Sequence, residues 1–285
     1  MSDDFFLRQT PYSDPGELDT TVLPREPRRL AAMVRGLIIH RGEGGLFGYA
    51  MPEERLYHDA ESRYVTEILR LLRERGGTPL TERRAPGGRF VGTCRDFSLL
   101  LCSLLRATGT PARLRCGFAT YFADGWYEDH WVTEYRAPDG RWRLADAQVH
   151  DGYDVPFDPL DVERDAFLVA GDVWRACRQG RVDPRTCGFS AVEGLHGLWF
   201  VRGNVLRDLA ALNGVELLPW DGWDPWLRKG APLTEDDLAA ADAVAAARSE
   251  DERRRLFTDP RLTVPAEITS YAPYLGDRRV TLPVR

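Results

Sequence analysis

Apolar positions along the first part of the chain follow a helical period. Between Pro24 and His40, Leu30, Met33, Val34, Leu37 and Ile38 share one face, and the glycine-rich stretch Gly42–Gly48 ends the pattern. A second helix is expected over Ala60–Arg75, with Tyr64, Val65, Ile68, Leu71 and Leu72 inward and Gly76-Gly77 stopping it. Residues 1–24 read as an irregular arm. The polar, turn-rich stretch from Thr78 to Gly92 is longer than most connections, which suggests a binding loop, with Arg84 and Arg89 as candidate substrate contacts. The third helix is the best defined. Thr93 can cap it, with Asp96 three residues on, and Phe97, Leu100, Leu101, Leu104 and Leu105 form its stripe before Gly109. At about 100° per residue, Cys94 lies on that stripe, in line with Leu101 and Leu105.

After Pro111 the period drops to two. Arg113–Phe122, Tyr127–Tyr135 and Arg141–Gln148 read as strands, the last two joined by a loop over residues 136–140. Beyond Asp158 helical spacing returns, over Phe167–Gln179, Gly197–Leu212 and Thr234–Phe257. Helices, then a helix feeding an antiparallel sheet, then more helices describe an α+β fold and not a βαβ repeat. The expected organisation is an N-terminal arm and helix (1–55), a core (56–160) and a helical extension (161–285), the last packed on the core as part of one compact unit and able to roof a cleft in it.

Composition narrows the functional classes. With 43% hydrophobic residues and eight Trp in 285 residues, the chain can fill a sizeable core, which excludes disordered and collagen-like classes. A net charge of −6, with acids interleaved among the basic residues, gives no basic face for nucleic acid. Lys229 is the single lysine among 38 basic residues, an excess of arginine attributable to coding bias. No apolar run approaches the ~18 residues of a membrane span and the start MSDDFFLRQT is acidic, so no membrane association and a cytoplasmic location are expected. The five cysteines, at 94, 102, 116, 177 and 187, contain no CxxC pair. A metal centre is not indicated.

Chemistry concentrates in the middle of the chain. A thiol at a helix N-terminus sits where the helix dipole favours an anion, and hence the reactive thiolate. In the strand over 127–135, alternation places Glu128, His130, Val132 and Glu134 on one face, the more polar one, as expected of a face lining a cleft. In the next strand Asp146 shares a side with Trp142 and Leu144, where a carboxylate is costly unless paired. A simple hairpin closed by 136–140 would set His130 opposite Asp146 and Val132 opposite Leu144, with facing Cβ atoms ~4.5–5.5 Å apart. Cys94, His130 and Asp146 then read as nucleophile, base and orienting carboxylate. Cys102, Cys116, Cys177 and Cys187 read as small core residues, and His150 is the one plausible substitute base.

The blocks GTCRDFSLLLCSLLRATGTPARLRCGF, DHWVTEY and GRWRLADAQ resemble the core of the bacterial transglutaminase-like superfamily. The resemblance covers roughly residues 60–150. It implies a papain-like arrangement with a Cys94-His130-Asp146 triad, and acyl transfer through a thioester, with no cofactor. FLVAGDVW and GLWFVRGNVLRDLAALNGVELLPWDGW resemble an extension found in some bacterial members. Members that stabilise the oxyanion with a Trp upstream of the cysteine have no counterpart here, because the first Trp is Trp126. The expected substrate is a small or peptide-sized acyl donor, with water or a small amine as acceptor. The alternative is a catalytically silent binding protein that uses the same cleft.

Overall fold

A computed structural model describes residues 4–76, 78–223 and 232–283; Gly77 and Lys229 lie outside the described residues. The chain forms two compact units, each drawn from two stretches. One comprises the chain up to Leu114 together with Val132–Val162, and the other comprises Arg115–Trp131 together with the chain from Glu163.

In the first unit a short helix α1 (Asp4–Leu7) precedes α2 (Pro27–Leu37), which starts with Pro27 in its first turn, where a missing N–H costs nothing. Leu30, Ala31, Val34 and Leu37 of α2 are fully buried. The helix stops three residues before His40. Ile38–His40 is strand β1, paired in parallel with Phe90–Gly92, a strand some fifty residues further along the chain. Two consecutive isoleucines favour the extended backbone once a ladder partner is present. Helix α3 (Glu53–His58) and a 3-10 turn over Asp59–Glu61 follow, so α4 begins only at Val65 and runs to Glu74. Asp59, buried, holds this shorter start in place. It accepts hydrogen bonds from Arg75 and, at 2.9 Å, from the Val91 N–H of strand β2 (Phe90–Gly92).

Helix α5 (Cys94–Ala107) is buried on every side and not along a single stripe. Its polar residues are satisfied locally: Arg95 donates to the Arg63 carbonyl at 2.7 Å, and Arg106 to the Ala112 carbonyl at 2.9 Å and to Ser13 Oγ at 2.8 Å. Strands β3 (Ala112–Ala119) and β4 (Tyr127–Arg136) neighbour one another; β3 passes from the first unit into the second, and β4 from the second back into the first. In the first unit β5 (Trp142–Ala145) pairs antiparallel with the end of β4, with Glu134 opposite Leu144 and Arg136 opposite Trp142. The loop is therefore 137–141, closed by Ala137 N–H donating to the Arg141 carbonyl at 2.9 Å. The expected register, with Val132 facing Leu144, is corrected by two residues, a shift that leaves each side chain on its expected face.

In the second unit, β6 (Phe167–Val169) pairs antiparallel with the end of β3 before α6 (Ala170–Arg178), so the helix expected from Phe167 begins three residues later. Gly117 makes this pairing possible: a Cβ there would lie 2.2 Å from the Leu168 carbonyl oxygen. Strand β7 (Cys187–Gly188) pairs in parallel with the start of β4. Helix α7 (Leu198–Leu212) matches expectation; strand β8 (Asp221–Gly222) follows it. The expected helix over 234–257 is two, α8 (Glu235–Ala246) and α9 (Glu250–Leu256), because Ser249 and Glu252 form a fresh capping box. Helices α6, α7 and α8 pack on one another, with Trp174 Nε1 donating to Asp242 at 2.7 Å. Strands β9 (Glu267–Ala272) and β10 (Gly276–Thr281) join β8 in a three-stranded sheet that the periodicity did not indicate. Mixed helices and largely antiparallel sheet make this an α+β fold.

One buried pair tests the packing of β3 on β4. Arg113 Nε donates to Glu134 Oε2 at 2.8 Å, and its guanidinium lies 4.1 Å from the Trp142 ring centre and 4.9 Å from that of Phe6. Glu134→Gln leaves a desolvated guanidinium without its counter-charge, and is expected to cost about 3 kcal/mol by urea denaturation. A loss below about 1 kcal/mol would show the pair to be solvated.

Candidate active site

Cys94 is the first residue of α5, and the chain before it is built to deliver it there. Thr93 is the N-cap, with extended backbone, in a reciprocal capping box with Asp96. Asp96 Oδ2 accepts the Thr93 N–H at 2.8 Å, while Oδ1 accepts Arg95 Nη1 at 3.1 Å. Burial pushes the Asp96 carboxyl up, and the Arg95 charge and the Thr93 N–H pull against it. Gly92 is required by space, since a Cβ would stand 2.9 Å from Asp96 Oδ2 and 3.0 Å from the Phe90 ring. Cys94 itself is buried, with 8% of its surface exposed.

His130 lies on β4 within the second unit, 2% exposed, its ring packed against Phe122, Tyr121 and Phe167 at centre distances of 4.9, 6.0 and 6.2 Å. The face expected to be wet is dry. Glu128, Val132 and Glu134 are buried as well. Glu128 accepts the Ser190 N–H at 3.1 Å, and Asp129 accepts Asn204 Nδ2 at 2.7 Å. Burial pushes both carboxyls above the usual carboxylate range.

Asp146 belongs to the first unit with Cys94 and is 2% exposed. It follows the last residue of β5, its N–H donating to the Pro159 carbonyl at 2.8 Å and its Oδ1 accepting the Gln148 N–H at 2.9 Å. The sequence reading missed three linked residues of the same unit: buried Arg35 and Glu43, with half-buried Tyr153. Glu43 sits in the glycine-rich stretch after α2, where a lone acid among glycines was the available signal. His150, the substitute base, is half-buried, and burial pushes its imidazole down.

Arg84 and Arg89, expected to meet substrate, are buried at 6% and 3% exposure. Arg84 donates to the Leu72 and Thr78 carbonyls, and Arg89 donates to the Arg84 carbonyl at 2.9 Å while lying over the Phe47 ring. Their guanidinium groups hold the 78–92 loop together instead of presenting themselves to a ligand. None of the five cysteines forms a disulfide. Cys102, Cys116 and Cys187 are fully buried, and Cys177, partly exposed, hydrogen-bonds to Cys187. Among the described residues no group of three or more His, Cys, Asp or Glu side chains could hold a metal ion, and no helix is long and apolar enough to cross a membrane.

Residues 61–147 match the family model of the transglutaminase-like superfamily. This stretch is similar to a transglutaminase-like core. It contains Cys94, His130 and Asp146, and its helix-then-sheet order is the α+β, papain-like arrangement. A solved structure titled "Putative Cysteine Protease from Cytophaga hutchinsonii" is 21% identical over 52% of this chain and 43% of its own, with a TM-score of 0.23, too low to add to the fold assignment. No curated protein matches the chain.

The buried carboxylate beside the core's histidine yields a pH prediction. Glu128 is held above its ordinary value, so the folded state resists its ionisation, and stability present at low pH is lost as the pH rises through the folded value. Glu128→Gln keeps an acceptor for the Ser190 N–H without charge. The variant is therefore expected to gain stability relative to wild type as pH rises from about 4 to 7, followed by urea denaturation. A pH-independent difference would contradict the assignment.

Proposed function

We propose that this chain is a cysteine-dependent acyl-transfer enzyme in which Cys94 is the nucleophile, His130 the general base and Asp146 the group that orients the imidazole. The observation that carries this reading is the match to the transglutaminase-like family model over residues 61–147, which includes all three residues, with Cys94 opening a helix whose cap is buried. In the proposed reaction His130 takes the Cys94 proton as sulfur attacks the carbonyl carbon of an amide, ester or thioester. The tetrahedral oxyanion draws on the Cys94 N–H, one of the first-turn donors that have no acceptor within the helix. Collapse expels the leaving group, which takes the proton from His130, and leaves an acyl-Cys94 thioester. Water or an amine then attacks, giving its proton to His130, and the Cys94 thiol is restored.

Nothing in this scheme requires a cofactor, and the acyl donor is proposed to be small or peptide-sized, released to water or to a small amine. The chain's single lysine makes it a poor amine donor to itself, so self-cross-linking is not its expected signature.

Brief, limiting iodoacetamide at neutral pH is expected to label Cys94 ahead of the more exposed Cys177, as read by peptide mapping; equal labelling of all the cysteines would remove the case for an activated thiol. With p-nitrophenyl acetate, mass spectrometry should capture acyl-Cys94. Asp146→Asn and His130→Ala should each lower turnover by about 100-fold or more, with strongly non-additive effects in the double variant. Should His130→Ala turn over normally while His150→Ala is inactive, His150 is the base. A fluorescent amine incorporated into intact protein, with no turnover of any small amide, ester or thioester, would reverse the proposed donor size.

A further inference from the structure

The first unit contains a chain of hydrogen bonds that leads from the buried Arg35–Glu43 pair through Tyr153 to Gln148, beside Asp146. Arg35, with none of its surface exposed, donates through Nη1 to Glu43 Oε2 at 2.7 Å and through Nε to the Asp151 carbonyl at 2.9 Å. The other Glu43 oxygen accepts the Tyr153 hydroxyl at 2.7 Å. That hydroxyl has one proton, and Glu43 takes it, so the Gln148 side-chain amide donates to Tyr153 Oη. The order of donors thereby fixes which way the Gln148 amide points. Gln148 in turn gives its backbone N–H to Asp146 Oδ1 at 2.9 Å. Burial and the neighbouring Glu43 charge push the Tyr153 phenol up, which keeps it a donor.

A carboxylate that orients an imidazole must itself be held in one rotamer. Residues 146–153 form no helix or strand, so the backbone alone does not supply that rigidity. We propose that Tyr153 and Gln148 are positioning residues for Asp146: Gln148 is anchored by Tyr153, Tyr153 by the buried Arg35–Glu43 pair, and the turn so fixed presents one N–H to the Asp146 carboxylate. The glycine-rich stretch after α2 supplies Glu43 to this chain of bonds. Gly44 admits no side chain, since a Cβ would lie 2.5 Å from the Tyr49 carbonyl oxygen, and Glu43 is delivered inward from this tight turn.

The inference rests on the proposed role of Asp146, and a double-variant cycle with p-nitrophenyl acetate separates the two. Tyr153→Phe removes the proton given to Glu43 and the acceptor for Gln148 while keeping the ring. It is expected to lower kcat about tenfold with KM unchanged, and to change the rate of the Asp146→Asn enzyme by less than about twofold. An equal loss in both backgrounds, a loss carried by KM, or no loss beside an impaired Asp146→Asn enzyme would overturn the positioning role and leave the triad standing. Wild-type turnover by Asp146→Asn would overturn the triad reading first, and this inference with it. Should Tyr153→Phe fail to fold, Gln148→Leu, which keeps the backbone N–H but not the anchor, carries the same cycle with the same expected outcome.

Discussion

Irregular backbone can be buried only if its carbonyl groups find donors, and in this chain guanidinium groups supply many of them. A guanidinium offers five N–H donors in one plane, so it can bridge several carbonyls at once, which a lysine ammonium on its flexible stem does less well. Arg95 reaches back to the Ser62 and Arg63 carbonyls ahead of α4, Arg84 to Leu72 and Thr78, and Arg106 to Ala112. Where a carboxylate is within reach, the pairing links elements distant in sequence. Arg115 grips Asp208 of α7 through two bonds of 2.9 and 2.8 Å, and the same carboxylate accepts the Cys116 N–H. Whatever set the arginine content of the chain, the fold has come to depend on it.

The same constraint governs the neighbourhood of the candidate nucleophile. Cys94 stands at a helix end whose cap is an internal exchange among Thr93, Asp96 and Arg95, all buried. A solvent-facing cap would satisfy the same donors but would leave the first turn free to fray. Here Gly92, crowded by Asp96 and Phe90, lets the strand run directly into the helix, and the cysteine is placed by packing on every side.

How much of this was legible in the sequence depended on how local the cause was. The capping pair Thr93/Asp96, the register of Cys94 on its helix and the three strands after Pro111 are written within a few residues of one another, and all were readable. Features set by distant partners were not. Ile38–His40 looks helical until Phe90–Gly92 is laid beside it. The Tyr127–Arg136 strand looks half-wet until Phe122, Tyr121 and Phe167 cover His130. The hairpin register turned on the loop closing at Ala137 and Arg141, one residue later than turn chemistry suggested. Arg84 and Arg89 were visible as charges, but the carbonyls that absorb them were not. Glu43, Tyr153 and Gln148 carry no motif, since the hydrogen bond that links Glu43 to the other two, through Tyr153, joins residues 110 positions apart.

Because β3 and β4 each pass from one compact unit to the other, the order in which the ribosome releases the chain matters. The first unit cannot close when Leu114 emerges. It needs Val132–Val162, and the intervening Arg115–Trp131, which holds His130, belongs to a unit whose remaining residues have yet to be made. The segment with the histidine is therefore synthesised early and packed late, and must wait through the elongation of about a hundred residues at roughly 5–20 per second. Nor does any single cut of the gene release either unit intact, so neither could have been gained or lost by one recombination at its edge.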